Sequence, residues 1–265
     1  IDERAKSFYS LERMEKMNMK RRIRKVTALC AALCVCSSVF AQDTSVEQDP
    51  VPVVQEQTQY RPVSPAPVVQ EKPDALKLYR EGRDLESAGK TSEARAKYQR
   101  SADVCRLELK ENSKNIESYV VLGWALIRLG QYSEVISISN EALKISPREY
   151  RIIESLAEGY FYADNYTESL KYFEQYLHAL PNGDRASTAY FFVGDIFRLT
   201  GRYEHADIAY STALVKTPNM ALWWYRLGSV RELAGKKAEA KAAYEKALQY
   251  RPIYQEASDA IRRLS

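Results

Sequence analysis

Histidine and cysteine are scarce in this chain of 265 residues, which has two histidines and four cysteines. The two histidines, His178 and His205, stand far apart and lack the spacing of metal ligands. Three of the cysteines lie within residues 30–36, so the rest of the chain keeps only Cys105, which cannot form an internal disulfide bond. We expect Cys105 to be a small side chain near a helix end, because no histidine near it in the sequence could activate it as a nucleophile.

Catalytic and phosphate-binding motifs are also missing. The sequence has no nucleophile elbow and no glycine-rich phosphate loop. Glu154 and Glu158, four residues apart on a predicted helix, form a carboxylate pair that acid–base chemistry could use, although such pairs are more often solvated or paired with arginine. The sequence therefore predicts no catalytic residue, no metal and no cofactor, and a protein that is not an enzyme.

The basic charge is concentrated near the N-terminus. The formal net charge of +4 arises from 39 Lys/Arg and 35 Asp/Glu residues. The first 41 residues carry nine Lys/Arg and four Asp/Glu, which leaves 30 basic and 31 acidic residues in the rest of the chain. Binding to nucleic acid needs a concentrated basic face. We therefore expect no nucleic-acid partner.

Residues 1–41 have the features of a leader with a secretory signal peptide that starts at Met19. A basic segment at 20–25 precedes an apolar segment at 26–40, and a cleavage site follows at Ala41. Residues 1–18 have no role in such a signal, so we expect the true start at Met14, Met17 or Met19. The signal predicts an exported, periplasmic protein.

Two other interpretations of this leader stay open. The apolar run of about 15 residues is shorter than the roughly 20 that a membrane-spanning helix needs, which makes a permanent anchor the weaker alternative. A lipid-anchored envelope protein would need acylation of one of three cysteines, each preceded by Leu or Val where Gly, Ala or Ser is usual: Cys30, Cys34 and Cys36. Membrane association would require an uncleaved or lipidated N-terminus.

Residues 42–74 are rich in proline, valine and glutamine and show neither a helical nor a strand period. The sequence PVPVVQEQ at 50–57 returns as PAPVVQEK at 65–72, which is typical of low-complexity spacers. In an extended polyproline conformation this linker would reach on the order of 100 Å. We predict a disordered linker.

The rest of the chain repeats one pattern, which is clearest between Tyr190 and Pro218. Apolar and small residues recur there at i, i+3, i+4 and i+7 on two successive helices. Gly201 and Pro218 mark the two helix ends, since glycine adopts the left-handed conformation and proline cannot continue a helix. We expect Gly194, together with alanines of the second helix, to let the helix axes approach closely.

Five such units are predicted at 75–108, 116–149, 150–183, 187–220 and 221–254. Extra residues lie around 106–115, where they would lengthen a helix by about two turns, and at 181–185, which is a turn signal. Residues 253–265 are predicted to form a capping helix that covers the last apolar face. The part of this helix beyond the fifth unit is 255–265. Its expected apolar residues are Ile253, Ala257, Ala260, Ile261 and Leu264.

These units resemble the tetratricopeptide repeat, whose pattern has an aromatic residue, Leu-Gly, an alanine, a second aromatic and a final proline. The resemblance covers 75–254, about two-thirds of the chain. It departs from the pattern at single positions, such as Arg106 where proline is expected and Arg231 where tyrosine is expected. In the fifth unit the matching residues are Trp224, Leu227, Gly228, Ala240, Tyr244, Ala247 and Pro252.

The resemblance implies an all-α fold, a right-handed α-solenoid of five helix-turn-helix units plus a C-terminal capping helix. It also implies a concave groove, lined by the first helix of each unit, that binds a peptide or a helix of a partner protein. Tyrosine and tryptophan on repeat helices also pack between repeats, so each groove candidate has two interpretations. The candidates are Trp124, Ile127, Phe161, Phe191, Asp195, Arg198 and Tyr225.

Together these features predict a non-enzymatic adaptor or scaffold that mediates protein–protein interactions in the bacterial cell envelope. The alternative is an envelope protein that binds a small ligand, or acts as an enzyme, through the groove carboxylates. The identity of the partner and the oligomeric state are left open by the sequence.

Overall fold

The structure, a computed structural model, describes residues 73–265, so the predicted signal peptide and nearly all of the predicted linker lie outside the described residues. These residues form eleven α-helices joined by short turns, with no strand among them. The helices are α1 (Ala75–Ser87), α2 (Thr91–Glu111), α3 (Ile116–Leu129), α4 (Tyr132–Ile145), α5 (Tyr150–Tyr162), α6 (Tyr166–Ala179), α7 (Ala186–Leu199), α8 (Tyr203–Lys216), α9 (Ala221–Leu233), α10 (Lys237–Tyr250) and α11 (Gln255–Leu264).

The helices form a stack of pairs. Each helix packs against the next one along the chain, and α1 also contacts α3, α3 contacts α5, and α5 contacts α7. Such contacts between equivalent helices of successive units are typical of a solenoid. The predicted all-α solenoid of five helix-turn-helix units is therefore confirmed, with odd-numbered helices α1 to α9 as first helices, even-numbered ones as second helices, and α11 at the end.

The turns inside the units depend on a left-handed residue. Gly201 has a φ of 77° between α7 and α8, as the sequence predicted for a helix end. Glycines hold the same place, with φ between 76° and 80°, in every unit except the third. There the residue is Asp164, with a φ of 60°, and its side chain accepts a hydrogen bond from the Tyr166 hydroxyl at 2.8 Å.

Glycines within the first helices allow close packing of tyrosines from the second helices. A Cβ atom added to Gly194 would lie 2.6 Å from the Tyr210 ring, which is far too short for a van der Waals contact. The role predicted for Gly194 is therefore confirmed. Two further pairs repeat this contact, Gly82 with Tyr98 and Gly228 with Tyr244.

The second helix of the first unit, α2, has 21 residues, whereas α4 has 14. Its last turns are held by Arg106, whose guanidinium donates to Glu134 of α4 at 2.9 and 3.0 Å. Because of this extension Cys105 lies inside the helix and not near its end, and burial raises the pKa of its thiol to about 12. Neither α2 nor any other helix within 73–265 has both the length and the apolar character needed to cross a bilayer.

The capping helix α11 packs on α10 through Ala257 and Ala260. The sequence assigned Ile253 to the same apolar face, and this is wrong, because α11 begins only at Gln255 and Ile253 is 90% exposed. Tyr254 takes the buried place instead. The cap therefore begins with a tyrosine ring and continues with small alanines and the partly buried Ile261 and Leu264.

Candidate interaction face

The first helices form one layer, because α1, α3, α5 and α7 contact one another in succession. The predicted groove positions are the second, fifth, ninth and twelfth residues of each unit. We call the side of the array that carries these residues the first-helix face. Its residues are Leu76, Tyr79, Arg83, Glu86, Glu117, Val120, Trp124, Ile127, Arg151, Glu154, Glu158, Phe161, Thr188, Phe191, Asp195, Arg198, Leu222, Tyr225, Ser229 and Glu232.

Trp124 and Ile127, on α3, are partly buried and pack into the hydrophobic core of the first two units. The Trp124 ring lies 5.6 Å from the ring of Tyr79 on α1, measured between centroids. Since such aromatic pairs stabilise beyond the area they bury, Trp124 joins the first unit to the second.

Phe161 and Phe191 make similar contacts farther along the array, and both are partly buried. Phe161 of α5 meets Phe192 of α7 edge to face, with centroids 4.9 Å apart. Phe191 of α7 stacks on Trp223 of α9 at 5.0 Å with an interplanar angle of 14°. Both side chains therefore bridge neighbouring units.

Asp195 and Arg198 belong to a buried polar cluster on α7. Asp195 is 7% exposed, and its carboxylate accepts hydrogen bonds from the Tyr210 hydroxyl at 2.5 Å and from the Arg198 guanidinium at 3.1 Å. Arg226 of α9 approaches the same carboxylate at 3.8 Å. Burial, with the nearby Asp195 charge, raises the pKa of Tyr210 well above its usual value. The cluster links the two helices of the fourth unit and reaches the fifth.

Tyr225 of α9 is partly buried, with its ring 5.6 Å from that of Tyr244 and 5.2 Å from that of Tyr254. It therefore packs between the fifth unit and the cap. All seven predicted site residues are buried or partly buried and contribute to packing within the array. That they also bind a partner stays a prediction.

Sequence reasoning missed a contact that recurs in three units. A tyrosine on the second helix donates a hydrogen bond from its hydroxyl group to a carboxylate on the first helix of the same unit. We call this the tyrosine–carboxylate contact. The signal in the sequence was a tyrosine sixteen residues after the glycine of the first helix. The pairs are Tyr98 with Glu86 at 2.7 Å, Tyr210 with Asp195 at 2.5 Å, and Tyr244 with Glu232 at 2.8 Å.

The third unit has a different polar cluster. Glu154 and Glu158, on α5, are only 4% and 8% exposed, and both bind Arg185. The Arg185 guanidinium donates to Glu154 at 2.6 Å and to Glu158 at 2.8 Å. Burial raises the pKa of Glu154 to about 7, although Arg185 lowers it, and burial also raises the pKa of Glu158. Arg185 belongs to the extra residues at 181–185. The spacing of residues on α5 could not reveal this partner, because it lies in a different segment of the chain.

Two large side chains on or beside this face stay exposed. Leu222, at the start of α9, is 44% exposed, and Tyr162, at the end of α5, is 41% exposed. The Tyr162 ring stacks on Tyr132 of the second unit at 4.7 Å. Within 73–265, no group of three or more His, Cys, Asp or Glu side chains is arranged to hold a metal ion. The accessible part of the face therefore combines these two apolar side chains with the exposed charged residues Arg83, Glu86 and Glu117, and most of its carboxylates are bound to arginine or tyrosine.

Comparison with known families and structures agrees with this architecture. Two family models described as tetratricopeptide repeat match this chain, one at residues 155–221 and the other at 116–149 and 224–254. The solved structure of TTC0263, a tetratricopeptide repeat protein of Thermus thermophilus, superposes with a TM-score of 0.55 at 19% identity, covering 72% of this chain and 98% of that one. YrrB, described as having an unusual peptide-binding site, superposes with a TM-score of 0.50 at 18% identity, covering 72% and 94%.

Curated relatives are far longer proteins. The mouse protein O-mannosyl-transferase TMTC1 is 25% identical over 137 residues, which is 51% of this chain and 14% of that protein. Its human counterpart is 24% identical over 167 residues, which is 63% of this chain and 18% of that protein. This chain therefore spans less than a fifth of the length of the curated relatives it matches.

Proposed function

Since this chain belongs to the tetratricopeptide repeat family, a family of protein-interaction scaffolds, we propose that it is a non-enzymatic adaptor that binds a peptide or a partner helix on its first-helix face. We place this adaptor in the bacterial cell envelope. The observation that carries the proposal is the exposure of Tyr162 and Leu222 on or beside the first-helix face, where the seven predicted groove residues are held by packing.

The chemistry of the face supports a polypeptide ligand. Aromatic residues and arginine most often dominate the binding energy of protein interfaces, and rigid ones lose little entropy on binding. Tyr162 is held by its stacking on Tyr132, and Arg198 by its bond to Asp195. The same fold in YrrB carries a peptide-binding site, which supports the proposal at the level of the fold.

The envelope location is supported by the predicted signal peptide and by the linker at 42–74. The predicted linker, which would reach on the order of 100 Å in an extended polyproline conformation, suits a module that connects components of an envelope. Mass spectrometry of the mature protein should find Gln42 at its N-terminus. A lipidated N-terminal cysteine would instead favour the lipid-anchored alternative.

Replacement of Leu222 in the full chain by a photo-crosslinking amino acid tests the binding face in living cells. Leu222 is exposed, so the substitution should leave packing intact, whereas alanine at Phe191 or Tyr225 would remove ring contacts between units. We expect a crosslinked polypeptide at Leu222. The matched control is Val215, which is 83% exposed on α8, a second helix. Equal adducts from both positions, or none from Leu222, would contradict the proposal.

The alternative of an enzyme or small-ligand protein that uses the groove carboxylates gains no support from the third unit. Glu154 and Glu158 are both bound by Arg185, so they form an internal ion cluster. The binding by Arg185 accounts for this carboxylate pair without a substrate.

A further inference from the structure

The ion cluster of the third unit has a charge imbalance. Two carboxyl groups, from Glu154 and Glu158, share one guanidinium, from Arg185. Both carboxyl side chains are buried, at 4% and 8% exposure, and they lie one turn apart on α5. Two ionised carboxylates in one buried site repel each other, whereas a proton on one of them makes it a hydrogen-bond donor. With both ionised, two buried carboxylates would share one half-exposed guanidinium, with only the charge of Arg128 nearby, and such incomplete pairing of buried charge is costly.

We propose that Glu154, Glu158 and Arg185 form a proton-binding latch, in which one proton shared by the two carboxyl groups holds the loop at 181–185 and the start of α7 against α5. Loss of this proton loosens the loop. The latch is independent of the binding function proposed above.

The position of Arg185 gives the latch its mechanical effect. Arg185 is the last residue of the loop and directly precedes α7, which begins at Ala186. The loop has its own hydrogen bonds, from the Gly183 amide to the Leu180 carbonyl at 3.1 Å and from the Ala186 amide to the Gly183 carbonyl at 2.9 Å. A change in the binding of Arg185 therefore acts on the junction between the third and fourth units.

Charged or titratable groups from the elements packed against α5 surround the pair; four of them act on it directly, whereas Asp184 and Asp195 act on its neighbours Tyr176 and Tyr162. Arg128 stays charged at all relevant pH values. Burial raises the pKa of Tyr132, Tyr162 and Tyr176, so these tyrosines stay neutral and all four groups keep their charge state between about pH 6 and pH 8. The neighbouring groups are Arg128 from α3, Tyr132 from α4, Tyr162 from α5 itself, Tyr176 from α6, Asp184 from the loop and Asp195 from α7.

The direction of the pH effect follows from the raised pKa. Burial lifts the pKa of Glu154 from 4.5 to about 7, so the closed latch binds its proton more tightly than an open one. The stabilisation is complete at low pH and is lost as the pH rises through about 7. Between about pH 6 and pH 8 the opening equilibrium constant should therefore rise by about tenfold.

Titration of the carboxyl groups by NMR tests the proton directly, in full-chain protein labelled with carbon-13 at the glutamate carboxyl. We expect a carboxyl resonance that titrates near pH 7 in the wild type and disappears in Glu154→Gln or Glu158→Gln. If every glutamate of the wild type titrates below about pH 5.5, the latch does not exist. The wild-type titration alone can give this result, so the test does not depend on whether the variants fold.

Hydrogen exchange tests the loosening. Exchange of the amides at 182–186 is measured at about pH 6 and pH 8 and divided by the intrinsic rate at each pH. We expect about a tenfold increase in opening for the wild type and no increase for Glu154→Gln, which keeps the shape of a protonated carboxyl group. Glu174→Gln is the matched control, an exposed residue on α6 that should behave as the wild type. Equal ratios in the wild type and Glu154→Gln would overturn the proposal.

Discussion

The fifth and third units fill the same place between their two helices with different side chains. In the fifth unit the Tyr244 ring lies directly over Gly228 and packs at 5.6 Å against Tyr225. The Tyr244 hydroxyl then reaches Glu232 at 2.8 Å. The first and fourth units share the contact of tyrosine with glycine and carboxylate. A neutral phenol thus binds a carboxylate in each of these units.

The third unit has Ala157 in place of the glycine, Glu154 in place of the fifth-position aromatic residue, and Phe173 in place of the tyrosine. Phe173 has no hydroxyl group, and its ring stacks on Phe192 of the next unit at 5.2 Å. The carboxylates of this unit bind Arg185 from the loop instead. One repeat backbone therefore accepts either a local tyrosine or a charge supplied from the following loop.

The largest effect expected from this comparison is that of adding a methyl group beneath a tyrosine. Gly228→Ala should lower the free energy of unfolding by about 1–3 kcal/mol, because the new Cβ would lie 2.6 Å from the Tyr244 ring. Denaturant unfolding of the full chain measures the change.

Gly123→Ala is the control for this substitution. Its Cβ would meet no atom closer than 3.5 Å, and alanine is the better helix former, so its effect should be neutral or stabilising. Equal losses in Gly228→Ala and Gly123→Ala would show that close packing of the tyrosine does not explain the glycine.

Removal of one hydroxyl group tests the tyrosine–carboxylate contact. Tyr244→Phe should lower the free energy of unfolding by about 1–2 kcal/mol, since Glu232 loses its buried phenol donor and keeps only the half-exposed Arg263 guanidinium. The measurement is again denaturant unfolding. Tyr250→Phe, on the same helix but 41% exposed, should change stability by less than about 0.5 kcal/mol. If Tyr244→Phe were as stable as Tyr250→Phe, the tyrosine–carboxylate contact would not stabilise the fifth unit.

The smallest effects are expected at the turns. Gly235→Asp should cost about 1 kcal/mol, because Gly235 has a φ of 80° and side chains are strained there. Asp164→Gly should change stability by less than about 0.5 kcal/mol, since relief at φ 60° is offset by loss of the bond from Tyr166. Thermal unfolding of both variants checks this difference, and a large gain from Asp164→Gly would mean that the Tyr166 bond contributes nothing.

Much of the fold could be predicted from the sequence, because its causes are local. The period of the apolar residues predicts the helices, and Gly201 predicts the turn after α7. The site was harder to predict. The resemblance to the tetratricopeptide repeat placed Phe191 and Tyr225 on the first-helix face, but it could not tell that Trp223 and Tyr254 would cover part of their rings.

The sequence by itself determined that this protein is an array of paired helices, since periodicity, turn glycines and small residues act within one unit. Only the tertiary structure decided how the inward side chains are used. A helical position fixes the direction of a side chain, but its contacts depend on which neighbouring unit or loop comes within reach. Arg185 is the clearest case: it lies 27 and 31 residues from the glutamates it binds, and only the path of the loop brings their charges together.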